Sequence, residues 1–184
     1  MSTNPDRVGD TTRRSKRLSY VLRHDPASVG VRLDEAGWVE VDVLLRALAR
    51  HGLPLTRAEL EHVVETNDKR RFVIDGDRIR ASQGHSIPVD LGLAAMDPPA
   101  ELYHGTARQH LPGILAEGLR AGRRHDVHLS PDIDTARRVG RRHGVPVVLV
   151  VDSGAMARHG HEFRRSANGV WLTAAVPAAY LRVT

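Results

Sequence analysis

A chain of 184 residues, 41% of them hydrophobic, is long enough for one domain or two small ones with real cores. No run approaches the ~18 apolar residues of a membrane span, and the absence of cysteine excludes thiolate catalysis, disulfide staples and cysteine-based zinc sites. The net charge is +5 and all but Lys16 and Lys69 of the 27 basic residues are arginine, which suits bidentate phosphate contacts and is compatible with an anionic partner without requiring one.

Residues 1–10 read as a disordered tail without the basic-then-apolar pattern of a signal peptide, so the expectation is a cytoplasmic protein. From Thr11 the pattern is helical, with Leu18, Val21 and Leu22 on one face and Asp25-Pro26 as the stop. A short strand from Val31, a turn at Glu35-Ala36-Gly37 and a strand through Trp38–Val41 come next. A helix follows, with Asp42 as N-cap and Gly52 as its stop. Thr56 and Glu59 form a capping box for a helix whose apolar face is Ala58, Leu60, Val63 and Val64. Two alternating runs around Asp75-Gly76 predict a type I′ hairpin. Three helices followed by a hairpin is a winged-helix outline for residues 11–86. Residues 87–100, with Pro88, Pro98 and Pro99, read as a linker.

Beyond the linker, residues 101–184 predict a small α+β domain. "ELYHGT" is a short strand running into a polar turn, and a helix runs to Gly118. "DVHLS" is a short strand, and a helix capped by Asp132 or Asp134 stops at Gly144. The valine-rich run ending at Val151 is a buried strand, and strands are expected in "NGVWLT" and "YLRV". His51, His110, His143, His159 and His161 fall at helix ends or in loops and read as solvated. His125 and His128 would point to opposite faces of a strand, so no metal site is expected. No Walker or dinucleotide glycine fingerprint, nucleophile elbow or carboxylate pair is present. An active site here would be built from Arg and His, groups that bind and orient phosphate. Arg23 and His24 close the first helix, where cations also offset the C-terminal dipole by about 0.3–1 kcal/mol, so their position alone allows either role.

Taken in order, "YVLRHDP", "NDKRRF", "QGHS", "LYHGT", "HDVHLS", "GRRHGVPVVLVVD" and "FRRSANGVWLT" resemble the RNA 2′-phosphotransferase family from about residue 15 to the C-terminus. The resemblance implies an α+β chain in which an N-terminal winged-helix-like lobe joins a C-terminal ADP-ribosyltransferase-like lobe. It implies an NAD-dependent enzyme acting on RNA that bears an internal, tRNA-like 2′-phosphate of the kind left by tRNA splicing. The 2′-phosphate attacks NAD and displaces nicotinamide, giving an ADP-ribosylated 2′-phosphate. A ribose hydroxyl then attacks phosphorus, leaving 2′-hydroxyl RNA and ADP-ribose 1″,2″-cyclic phosphate. By motif, the catalytic set is Arg23, His24, Arg71 and Arg124, with Arg123 as the fallback for the fourth member.

The same resemblance implies an NAD site with His104 on a ribose, Gly105 allowing close approach, His128 in a second strand and Val170 where protein-modifying relatives carry a catalytic Glu. Thr106, Leu129, Ser130, Arg142 and Phe163 would line that cleft. A 2′-phosphate dianion is already a nucleophile, so the missing Glu is chemically consistent. Asp126 stands where many members have His and adds negative charge beside Arg124; Arg70 replaces a common Gln. No metal is expected, RNA-body specificity should be loose because stacking aromatics are not clustered, and a monomer is the default. Two rivals are a transferase that stops after ADP-ribosylating terminal phosphates, and a non-enzymatic winged-helix binder. The latter is disfavoured by the acidic third helix.

Overall fold

In the computed structural model, which describes residues 5–67, 69–142 and 144–184, the chain is mixed α and β and forms two compact units, Met1–Gly92 and Leu93–Thr184. The boundary falls inside the 87–100 segment read as a linker, yet that segment is not bare chain. The Asp90 N–H donates to Glu35 O in the first unit, and the Met96 N–H donates to Phe163 O in the second. Ser153 Oγ donates to Pro99 O. Each half of the segment thus satisfies its backbone on its own unit. Among the described residues no helix is long and apolar enough to cross a membrane.

In the first unit, helix α1 spans Pro5–Arg23, so residues 5–10 of the expected tail are helical, while 1–4 lie outside the described residues. Leu18, Val21 and Leu22 are fully buried. Asp25 ends α1 by capping a 3-10 turn over Pro26–Val29, accepting from the Ser28 N–H at 2.9 Å. The strand expected from Val31 is absent. The chain instead turns around Asp34, whose Oδ1 accepts from the Ala36 and Trp38 N–H groups.

Strand β1 (Val39–Glu40) leads into α2 (Val41–Arg50), which begins two residues earlier than an Asp42 cap would set it. Its first N–H, on Val41, donates to Asp77 O at 2.7 Å, so the hairpin turn does the work of the cap. Helix α3 (Arg57–Glu65) carries the Thr56–Glu59 capping box; Leu60 and Val63 are buried but Ala58 is exposed. Strands β2 (Phe72–Asp75) and β3 (Arg78–Ala81) close around Gly76-Asp77, one residue later than expected. Only Gly76 has positive φ (57°), as in a type II′ rather than a type I′ turn. The sheet order β1-β3-β2 is antiparallel throughout and covers a core of Leu18, Leu22, Leu44, Leu48, Leu60 and Ile79.

The second unit contains β4 (Leu102–Ala107), α4 (Leu111–Glu117), β5 (Leu119–Arg120), β6 (Val127–Leu129), α5 (Ile133–Gly140), β7 (Pro146–Val151), α6 (Ser153–Arg158), β8 (Arg164–Arg165), β9 (Trp171–Thr173), β10 (Ala175–Val176) and β11 (Leu181–Val183). They make antiparallel sheets β11-β7-β4 and β6-β9-β8 and the short pair β10-β5. Asp132, not Asp134, caps α5, accepting from the Thr135 N–H at 2.7 Å. The helix ends at Gly140, short of Gly144, and packs closely on β4: a Cβ at Gly140 would sit 2.8 Å from Thr106 O. Helix α6 was not expected; its signal is Asp152, which accepts from the Ala155 N–H at 2.9 Å. Leu102, Leu149, Val151, Met156, Phe163 and Trp171 form the core.

Candidate active site

The residues proposed for catalysis divide between the two units. Arg23, His24 and Arg71 belong to the first, and its fold brings them to one place. Arg23 is the last residue of α1, and its Nη2 donates to Arg71 O at 3.4 Å. The Ser82 N–H donates to the same carbonyl at 2.8 Å, so the start of β2 and the end of β3 hold Arg71 against the end of α1. Arg70 has φ of 42°, a left-handed conformation that costs a non-glycine residue on the order of 1 kcal/mol or more. It is fixed from both sides: its N–H donates to Asn67 O at 2.7 Å and its carbonyl accepts from Ser82 Oγ at 2.7 Å. The left-handed step re-aims the chain just before Arg71.

Asn67 is the pivot beneath this corner. It is buried, its Nδ2 donates to Ser15 Oγ at 2.8 Å, and its Oδ1 accepts from the Arg71 N–H and Nη1, both at 3.4 Å. Its neighbour Asp68 in the "NDKRRF" motif lies outside the described residues. His24 is exposed, with Nδ1 2.9 Å from Ser86 Oγ, and the Ser86 N–H donates to Arg23 O. The "QGHS" motif therefore supports the pair at the end of α1 with Ser86, while its His85 is buried. Residue type alone did not reveal Asn67, Ser82 and Ser86 as supports; the one hint was the motifs' place beside the hairpin.

The second unit gathers His104, His128, Ser130 and Arg124. Tyr103 and Ser130 exchange backbone hydrogen bonds at 2.9 and 2.7 Å, which sets β4 beside the end of β6. His104 Nδ1 lies 3.1 Å from His128 O, and since a carbonyl only accepts, that nitrogen carries the proton. Arg124 Nη1 lies 2.9 Å from His128 Nδ1, and since a guanidinium only donates, His128 is the Nε2-protonated tautomer. Burial lowers the Arg124 pKa from the ordinary arginine value, but arginine remains a cation at neutral pH. Arg124 rather than Arg123 makes the contact with His128.

Asp126, the charge that seemed out of place beside an anion site, is turned away and paired with Arg164 at 2.8 Å. His128 pairs with Leu172, which pairs with Arg164, so these side chains share one face of β6-β9-β8. Because β6 starts at Val127, His125 lies outside the strand and the opposite-face expectation does not apply to it.

The remaining expected NAD residues fare unevenly. Phe163 is 1% exposed and part of the core, so it cannot present a face to a ligand. Leu129 and Thr106 are likewise buried. Gly105 has a packing reason for being glycine: a Cβ there would fall on the carbonyl of Ala136 in α5, so it is the helix that approaches the strand on this side. Arg142 is exposed just past α5. Val170 is half-buried in a turn closed by the Ser166 N–H donating to Val170 O at 2.9 Å. His143 lies outside the described residues. Among the described residues no group of three His, Asp or Glu side chains is placed to hold a metal ion.

Residues 9–175 match the profile of the RNA 2′-phosphotransferase, Tpt1 / KptA family. A Streptomyces coelicolor protein is 62% identical over 172 residues, 94% of each chain. A Burkholderia lata protein is 55% identical over 176 residues, 94% of this chain and 91% of its own. A Nostoc punctiforme protein is 51% identical over 170 residues, 91% and 94% respectively. All three carry the name "Probable RNA 2′-phosphotransferase".

Proposed function

This chain belongs to the RNA 2′-phosphotransferase, Tpt1 / KptA family, and we propose that it removes an internal 2′-phosphate from RNA with NAD as co-substrate. The reading is carried by one observation: Arg23, His24 and Arg71 are drawn together by the end of α1, the left-handed step at Arg70 and the Asn67 and Ser82 hydrogen bonds. Two guanidinium groups and an imidazole are a phosphate-binding set, and none of them needs a metal to hold a dianion.

In this reading the first unit, winged-helix-like in its β1-β3-β2 sheet and three helices, binds the 2′-phosphate. Arg23 and Arg71 orient its oxygens and stabilise the charge that builds at phosphorus. His24, exposed and steadied through Nδ1 by Ser86, gives a proton to the departing 2′-oxygen. The second unit is the ADP-ribosyltransferase-like lobe. Its residues fit a dinucleotide ribose in hydrogen-bond sense, since His104 with a protonated Nδ1 offers Nε2 as an acceptor and His128 offers an Nε2 proton. NAD supplies an electrophilic anomeric carbon and a nicotinamide leaving group. Arg124 is the fourth member of the set, and Val170 supplies no base, which suits a nucleophile that is already anionic.

The test is a product assay on a short RNA carrying one internal 2′-phosphate, with and without NAD. The expected products are 2′-hydroxyl RNA, nicotinamide and ADP-ribose 1″,2″-cyclic phosphate. Accumulation of ADP-ribosylated RNA as the end product would favour a transferase that stops after its first step. No NAD-dependent change would return Arg23 and His24 to a helix-capping role.

A further inference from the structure

We propose that Tyr20 is a stacking platform for the nucleobase next to the 2′-phosphorylated nucleotide; this rests on the reading of Arg23, His24 and Arg71 as the phosphate site. Tyr20 is 44% exposed on α1, one helical turn before His24, and the two ring centroids lie 6.2 Å apart at 51°. An isolated exposed tyrosine is ordinary on a protein surface. This one is pinned. Its hydroxyl donates to Asp25 Oδ2 at 3.2 Å, and the other oxygen of Asp25 is fixed by the Ser28 N–H at 2.9 Å. The guanidinium of Arg17 lies 5.8 Å from the ring centroid, one turn earlier on the helix.

The ring is thus ordered before any ligand arrives, so little side-chain entropy remains to be lost on binding. Its surroundings suit a single polyanionic strand. Arg13, Lys16 and Arg17 fall on the side of α1 that carries Tyr20 and His24, at spacings of three and four residues. A phosphate held at His24 puts a neighbouring base of the same strand within reach of a ring one turn away. Stacking on one aromatic face tolerates any base, which matches the loose sequence preference expected of this chain. A single placed ring does what the sparse aromatics of the sequence did not suggest.

The test compares binding of two labelled probes, a short single-stranded RNA with one internal 2′-phosphate and a 2′-phosphorylated mononucleotide, by wild type, Tyr20→Ala, Tyr20→Leu, Tyr20→Phe and Tyr20→Trp. Tyr20→Ala is expected to weaken the RNA about ten-fold while changing the mononucleotide much less. Tyr20→Phe and Tyr20→Trp should keep most of the affinity, and Tyr20→Leu should not. Unchanged RNA affinity in Tyr20→Ala, or full affinity in Tyr20→Leu, overturns the proposal. If wild type binds 2′-phosphorylated and 2′-hydroxyl RNA equally, the phosphate reading fails. The Tyr20→Ala comparison on either RNA then still decides whether the ring stacks.

Discussion

The two units hold their candidate groups by different means. In the first, the Asn67 amide oxygen meets the Arg71 guanidinium and the Ser86 hydroxyl meets the His24 ring, and both supports are themselves anchored to backbone or to a buried serine. In the second, charge and tautomer do more: Arg124 leans on His128, and Asp126 pairs with Arg164 across the sheet. Amide and hydroxyl oxygens set the direction of the groups they hold through the geometry of the hydrogen bond. A carboxylate is tolerated in the second unit because an arginine two strands away takes it up.

That contrast can be broken first at Arg71. In the product assay, Arg71→Ala should cut 2′-phosphate removal by about a hundred- to a thousand-fold, while NAD affinity measured by calorimetry stays close to wild type. A matching loss of NAD binding would mean that the division of labour is wrong. Next is Gly105→Ala, which forces α5 off β4 and should cost about 3 kcal/mol of stability in urea unfolding. An unchanged midpoint would mean that α5 can shift freely. A double-mutant cycle of Asp126→Ala and Arg164→Ala should then give a coupling of about 1 kcal/mol that shrinks in high salt. Zero coupling would show that the pair is incidental.

The smallest effect is a pH dependence. Glu59 is held below its ordinary pKa, chiefly by the hydrogen bond from the Thr56 backbone and then by Arg14. A carboxylate whose folded pKa is lowered stabilises fully above its unfolded pKa, about 4.3, and loses that contribution as pH falls through the folded value. The melting temperature of wild type should therefore drop more steeply than that of Glu59→Gln on going below that value. Parallel curves would remove the Thr56–Glu59 box from the stability of α3.

Much of this was readable in the chain. Thr56 and Glu59 carry their capping box in local spacing, and Leu18, Val21 and Leu22 give away their buried face by period. Arg23, His24 and Arg71 were legible as motif members. What was not legible depends on closure between distant segments. The start of α2 moved from Asp42 because Asp77, in a turn 36 residues after Val41, supplies the acceptor. Asn67 is a buried pivot that no local pattern announces, because only folding brings Ser15 within its reach. Phe163 follows the same logic in reverse: a place in a family-like motif says nothing about which way a ring points, and its ring points into the core.

The opposite tautomers of His104 and His128 give the second unit a directional grammar. One ring asks its ligand for a hydrogen and the other offers one. A vicinal diol can answer both requests at once, whereas a carboxylate or an ammonium can answer only one.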